Sequence, residues 1–403
     1  MSSRSAARRW VVVALGVSLL VAAPFVARAW PVPASGMTAP ELVAAIRASD
    51  TQAYTGVVRS RGGVELPTDD SLEGAAKLLG RDGTLRVWWT GADAWRVATL
   101  RTTGETDLLH RAGQNLRWVY ESKNVTVYPD TPVRLPTSVD VLPPVLAERV
   151  LQGARPEEVE RLPTERIAGR TAAGLRLTPD QAQSSVGRVD LWADVETGLP
   201  LRVELYGATG PAALSTSFTD VTLGEPDADA LDFRPPEDSR VRYDEVVDAA
   251  AAADYYAERF APERLAGLPL RRPDTFGSVG LYGRGPTVLL ALPLRESDAY
   301  RLRDELATRP GAVCLTEGRT VAAGPLQLLV TDRMEEPWLL AGTVTRDAVA
   351  RAARELRADA VVRVGPLDVD DLEAELQPGV EPRERQAPVP SGPSRPLDPG
   401  ECR

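Results

Sequence analysis

The chain has 403 residues, 43% of them apolar, and a formal net charge of −10. That length suits two domains rather than one, and the scattered basic residues form no stripe that would track a phosphate backbone, which argues against nucleic acid as a partner. A lone histidine, His110, and two cysteines, Cys314 and Cys402, argue against a Ser-His-Asp hydrolase, a Cys-His protease, a zinc site or CxxC redox chemistry.

The N-terminus carries the clearest signal. Arg4, Arg8 and Arg9 precede an uncharged run from Trp10 to Val26, and Ala27-Arg28-Ala29 follows with small residues spaced for cleavage. A basic region before an apolar one is an export signal. Residues 10–26 are short for a span, where about 20 residues are typical. The segment reads as a cleaved signal peptide or a retained anchor, and in both cases the rest of the chain lies outside the membrane. Positive charge is almost all arginine, with lysine only at Lys77 and Lys123, the composition of a high-GC bacterium such as an actinobacterium.

Downstream, Leu42, Val43 and Ile46 give an amphipathic helix over residues 39–49. Strand signals open at Tyr54–Arg59 and, after a helical patch at Ser71–Leu79, continue at Thr84–Trp89, Ala94–Thr103, Glu105–Arg111, Asn115–Tyr120 and Asn124–Tyr128. Closely spaced turn residues between them predict an antiparallel meander. Val139–Gln152 is helical, broken near its start by Pro143-Pro144, and strands resume at Ala173–Thr178, Val186–Ala193, Leu199–Tyr206 and Ser215–Leu223. Asp194-Val-Glu-Thr-Gly198-Leu-Pro200 reads as a hairpin turn.

Alternation within these strands assigns one face to Leu85, Val87, Trp89, Trp95, Val97, Leu116, Trp118, Tyr120, Val189, Leu191, Leu201, Val203 and Leu205, and the other to Arg86, Arg96, Arg117, Arg188, Asp190, Arg202 and Glu204. One dry face means a sheet covered on one side, hence an α+β fold: a curved, open antiparallel sheet with helices in its concavity. The dry face is either packed core or a cleft open to acyl chains, which gain about 0.8 kcal/mol per buried CH₂. On the second reading the ligand-binding candidates are Leu85, Val87, Trp89, Trp95, Val97, Trp118, Tyr120, Val189, Leu191 and Val203.

The run Val189-Asp-Leu-Trp-Ala-Asp-Val-Glu-Thr-Gly-Leu-Pro-Leu-Arg-Val-Glu204 resembles the hairpin of the LolA-like lipoprotein-carrier superfamily, and within it the RseB/MucB type of sigma-factor regulatory protein. Ala53-Tyr-Thr-Gly-Val-Val58, Ala168-Gly-Arg170 leading to Leu175-Arg-Leu177, and Phe218-Thr-Asp-Val221 before Phe233-Arg-Pro-Pro236 agree in order and spacing. The resemblance implies a half-barrel fold and two candidate roles. One is a non-enzymatic envelope regulator that binds lipid or an acylated protein and contacts a membrane-bound anti-sigma factor. The other is a carrier of lipids or lipoproteins working with an ABC transporter.

Beyond Pro235-Pro236 a smaller α/β unit is expected. Its helices fall at Val246–Phe260, Glu296–Ala307 and Arg346–Arg357, the last capped by Thr345 and striped by Val349, Ala352, Ala353 and Leu356. Its strands fall at Ser278–Tyr282, Thr287–Leu294, Leu326–Thr331 and Trp338–Val344, and Gly280-Leu-Tyr-Gly283 with Trp338-Leu-Leu-Ala-Gly-Thr343 resembles the small C-terminal domain of RseB/MucB proteins. The organisation is thus 1–36 signal peptide or anchor, 37–240 half-barrel domain, 241–372 small α/β domain, and 373–403 a Pro-rich tail too polar to fold.

Little in the chain reads as chemistry. His110 is structural, because it lacks partners for catalysis. Gly280–Gly285 is a hairpin turn rather than a phosphate loop, since a strand and not a helix follows. The doublets Asp69-Asp70, Glu157-Glu158, Glu335-Glu336 and Asp370-Asp371 read as solvated surface. A Cys314–Cys402 disulfide would fasten the tail, but nothing in the sequence requires it. No cofactor, metal or catalytic residue is expected.

Overall fold

The computed structural model describes residues 34–64, 73–129, 134–243, 253, 257, 259–271, 277–332, 336–359 and 361–362. The export segment, Asp69-Asp70, Glu335, Asp370-Asp371, Cys402 and the tail lie outside them, as does most of the helix expected at 246–260. Among the described residues, no helix is long and apolar enough to cross a membrane.

Helix α1 (Ala39–Ala48) begins where Thr38 and Glu41 close a capping box, Thr38 N–H donating to Glu41 Oε2 at 2.7 Å. The strands that follow are β1 (Tyr54–Gly62), β2 (Asp82–Gly91), β3 (Ala94–Arg101), β4 (Gly104–Arg111), β5 (Gln114–Val119) and β6 (Asn124–Pro129), with α2 (Glu73–Gly80) between the first two. Pro143-Pro144 does split the next helix: a 3₁₀ turn at Ser138–Val141 ends before α3 (Pro143–Leu151), because proline is tolerated in a first turn and not inside one. Strands β7 (Val159–Ile167), β8 (Arg170–Leu177), β9 (Val186–Asp194), β10 (Pro200–Gly207) and β11 (Ala212–Leu223) complete the second meander, and the one-turn α4 (Ala228–Leu231) leads to β12 (Arg240–Tyr243).

These twelve strands form one open sheet in the order β12-β6-β5-β4-β3-β2-β1-β11-β10-β9-β8-β7. Two meanders are joined through β1 and β11, and every pair is antiparallel except β12 with β6. This is the expected curved half-barrel of α+β type. Two strands escape sequence reading. β7 contains Pro163 and a register shift between Leu162 and Glu165, which an edge strand tolerates because its outward N–H needs no partner. β12 is Arg-Val-Arg-Tyr with all four residues exposed, so it has no dry side to betray it, and the large sheet runs on to Tyr243.

After the short strands β13 (Arg259–Phe260), β14 (Arg264–Leu265) and β15 (Leu268–Pro269), the smaller sheet is built from β16 (Gly280–Arg284), β17 (Thr287–Pro293), β18 (Val313–Leu315), β19 (Gly318–Ala323), β20 (Leu326–Thr331) and β21 (Trp338–Gly342), ordered β16-β17-β21-β20-β19-β18. β18 and β19 were not legible as strands. Helix α5 (Glu296–Ala307) packs Ala299 and Leu306 on Val321 and Val330. Helix α6 (Arg346–Asp359) packs Val349, Ala352, Ala353 and Leu356 against Leu329, Trp338 and Leu340. Thr345 caps α6, its Oγ1 accepting from Ala348 N–H at 3.3 Å. Arg259–Phe260 pairs as a short strand with Val361–Val362, correcting the helical end expected there.

Candidate functional site

Eight of the ten predicted ligand-binding residues share one face. The register sets Leu85, Val87 and Trp89 beside Val58, Gly56 and Tyr54, and Val87 and Trp89 beside Val97 and Trp95. On the second meander Val203 opposes Leu191, and Leu205 opposes Val189. All eight are at most 9% exposed. They are divided between two packed clusters. Val189, Leu191 and Val203 lie under Leu42, Val43 and Ile46 of α1 and Ala147, Val150 and Leu151 of α3. Leu85, Val87, Trp89, Trp95 and Val97 lie under Val139, Val141 and Leu142.

Across β1–β4 the inner face carries a stack of rings. Tyr54 meets Trp89 at 6.0 Å, Trp89 meets Trp95 at 6.1 Å, and Trp95 meets His110 at 5.6 Å. His110 Nδ1 lies 3.1 Å from Asn115 Oδ1, so the lone histidine is held by stacking and one hydrogen bond. The Tyr54 hydroxyl is buried with no hydrogen-bond partner, and burial pushes its pKa up.

Trp118 and Tyr120 do not belong to this face. Trp95 opposes His110, and His110 opposes Asn115. Arg117, opposite Leu108, is therefore on the inner side, and Trp118, opposite Asp107, is on the outer. Trp118 packs on Phe233 at 5.5 Å, and Tyr120 lies past the end of β5, 67% exposed. Each strand's alternation is real, but the phase between strands is set by turn length, and one residue of slip exchanges the faces. The alternation also fails locally: Asp107, Leu108 and Leu109 of β4 are all buried, because the chain around α4 returns over the outer face, where Arg96 donates to Ala230 O at 3.1 Å.

The outer face is a lattice of ion pairs. Arg96 bonds Asp107 at 2.5 Å, Arg176 bonds Asp190 at 2.7 and 2.9 Å, and Arg202 bonds Glu165 at 2.8 Å. The turn at Asp194 does more than turn. Gly198 has φ 76°, Asp194 accepts from Thr197 N–H and Oγ1, and its buried carboxylate also meets Arg170 at 2.9 Å.

The junction between the two sheets was not foreseen. Glu158, read as solvated, is 1% exposed at its side chain and is gripped by Arg284 at 2.5 and 2.8 Å. Arg284 also reaches Asp180 and the Gly153 carbonyl. Burial pushes the Glu158 carboxyl up, but Arg284 and the backbone N–H groups of Asp180 and Arg155 outweigh it and hold the pKa at about 2. Arg271 fixes the β16–β17 turn that presents Arg284, donating to the Gly283 and Gly285 carbonyls. Beside this clasp the β8–β9 loop docks on the small unit: Gln183 on Ala266 O at 3.0 Å, Ser185 N–H on Thr343 O at 3.3 Å, and Thr345 N–H on Gln183 O at 2.8 Å. An apolar seam of Val64, Ala213 and Ala323 closes the other side. Glu336, of another doublet read as solvated surface, also departs from expectation, being 8% exposed.

A shallow slot of about 140 Å³ opens between α1 and the start of β7, lined by Pro40, Val43, Ala44, Arg47, Ala154, Arg155, Pro156 and Val159. Among the described residues no group of His, Cys, Asp or Glu is placed to hold a metal. Cys314 is disulfide-bonded.

Residues 93–242 match the family of the MucB/RseB N-terminal domain. A chain from a Pseudomonas aeruginosa MucA/MucB complex is 16% identical, with a TM-score of 0.44 over 77% of this chain and 95% of that one. A crystal structure of MucB gives 15% and 0.45 over 78% and 96%. A LolA-superfamily protein from Nitrosomonas europaea gives 13% and 0.21 over 49% and 99%. Comparison with curated proteins gives no match.

Proposed function

We propose that this chain, whose residues 93–242 form a LolA-like domain of the MucB/RseB type, is a non-enzymatic regulator in the bacterial cell envelope. The half-barrel and the small unit work outside the cytoplasmic membrane, exported or anchored by residues 10–26, and together contact a membrane-bound anti-sigma factor. The match of residues 93–242 is the observation that carries the reading; a MucB chain has itself been solved in complex with MucA. The clasp of Glu158 and Arg284 supports it further, since a partner spanning both sheets would meet them in a fixed arrangement.

The finer reading is that the inner apolar face accepts an acyl chain of a lipid or lipoprotein. Leu191 and Val203 are roofed by α1 and α3, so such a ligand enters as these helices lift. Function as a carrier with an ABC transporter would need the same movement without the regulatory partner. Photo-crosslinking the full chain in its native envelope tests the choice. The expected product is a single-span membrane protein whose cytoplasmic part binds a sigma factor. Crosslinks to acylated proteins or transporter subunits alone would replace the regulator with the carrier. Native mass spectrometry of the detergent-free protein tests the acyl ligand: a solvent-extractable adduct supports it, and a bare mass assigns the face to packing alone.

A further inference from the structure

One row across the inner face of the large sheet begins with a cation. Arg161 of β7 opposes Leu175, Leu175 opposes Leu191, Leu191 opposes Val203, and Val203 opposes Thr216, which opposes Ser60. Directly opposed residues share a face, so Arg161 stands on the side that α1 and α3 cover. Leu175, Leu191 and Val203 are 0% exposed there. The Arg161 Nη1 is likewise shut off from solvent and has no hydrogen-bond partner. Burial lowers its pKa, and among the described residues no carboxylate pairs with it. The carboxylates next to it in the chain are used elsewhere: Glu160 faces the other side, 3.8 Å from Arg176, and Glu158 is held by Arg284.

The slot between α1 and the start of β7 opens beside this cation. Val159, which lines it, lies two residues before Arg161 and so on the same face. Apart from Arg47 and Arg155 the lining is apolar, and those two are engaged, Arg47 with Leu151 O at 3.2 Å and Arg155 with Asp180 at 3.1 Å. An inward-pointing charge on an edge strand also blocks stray pairing, but that role is served by a solvated charge and leaves a buried, unpaired donor unexplained. We propose that Arg161 is the head-group site for a long-chain fatty carboxylate, which enters through this slot and lays its chain over Leu175, Leu191 and Val203. This deepens, and rests on, the reading of the inner face as an acyl site. The two carboxylate oxygens match the fork of the guanidinium. One unpaired guanidinium balances one negative charge, and a slot of about 140 Å³ suits one chain rather than two. The apolar run ends at Thr216 and Ser60, whose buried hydroxyls have no partner. Thr216 is four strand spacings, or about 19 Å, from Arg161, which leaves room for a long chain.

The test is binding of cis-parinarate, a fluorescent fatty carboxylate, to the full chain purified without detergent, and its displacement by other amphiphiles. Palmitate displaces it. Methyl palmitate, which keeps the chain and loses the charge, does so at least tenfold less well. Arg161→Gln lowers the affinity for palmitate at least tenfold and leaves that for methyl palmitate unchanged, while Arg161→Lys keeps most of the preference for the acid. The acid-to-ester ratio is read within each variant, so a loss of stability common to both ligands cancels. Equal affinity of the unaltered chain for acid and ester, or an unchanged ratio in Arg161→Gln, overturns the proposal and leaves the acyl site standing. Failure of parinarate, palmitate and methyl palmitate alike to bind overturns both. Displacement by phosphatidylglycerol vesicles but not by palmitate overturns the fatty carboxylate in favour of a phosphodiester lipid.

Discussion

At the β7–β11 end of the large sheet, α1 and α3 lie over the inner face, and Leu175, Leu177, Val189, Leu191 and Val203 are all at most 1% exposed. At the β4–β6 end the helices no longer reach, and on the same inner face Val119 and Tyr128 are only half-buried and Arg117 is exposed. Both ends are antiparallel meanders of similar length with similar alternation. The difference lies in what covers them, and it divides the sheet into a part buried under helices and a part exposed to solvent. A small unit clasped to the covered end through Glu158 and Arg284 completes the rigid part.

The largest effect should come from breaking that clasp. Arg284→Ala leaves Glu158 buried and charged without its partner, and removing one member of a buried pair costs about 3–5 kcal/mol. Chemical unfolding should show it, with the small unit melting earlier than the half-barrel. A clasp contributing under about 1 kcal/mol would mean the β8–β9 loop and the apolar seam alone join the sheets. Acid should act in the same direction. The Glu158 carboxyl is held at about 2 in the folded chain, below an unfolded value near 4.5, so its contribution is complete above that value. It is lost as pH falls from there toward 2. Glu158→Gln should flatten this part of the stability–pH curve.

Next in size is the roof of the covered end. Leu191→Ala removes a fully buried side chain from between β9, α1 and α3 and should cost about 2–5 kcal/mol in denaturant unfolding, depending on how far the helices settle into the gap. A cost well below that range would show the roof already loose, as the acyl-binding reading requires.

The covered end is also the part that its residues announce. Period-two alternation marks β9 and β10, the stripe of Leu42, Val43 and Ile46 marks the buried side of α1, and the Asp194–Gly198 turn is written in residue types that favour it. The failures share a cause. Trp118 was placed by its own strand's alternation, but its face depends on the two-residue turn at Ala112-Gly113, whose φ values of 52° and 75° set the phase between β4 and β5. Glu158 and Arg284 are 126 residues apart, and no local pattern joins a carboxylate in a 3₁₀ turn to a guanidinium at a hairpin end. β12 was invisible because an edge strand exposed on both faces has no hydrophobic period to detect.

The smallest effect belongs to the bare end and is the sharpest check on the contrast. Tyr243 is 80% exposed, so Tyr243→Ala removes almost no buried surface and should change unfolding free energy by less than about 0.5 kcal/mol. A core tyrosine such as Tyr54, 1% exposed and stacked on Trp89, should lose several times more on the same truncation. If Tyr243→Ala destabilised the chain as Tyr54→Ala does, the β12 end would be part of the folding core. If it left stability intact, the fold would be held by the covered end alone, and the β12 end could be altered without touching the core.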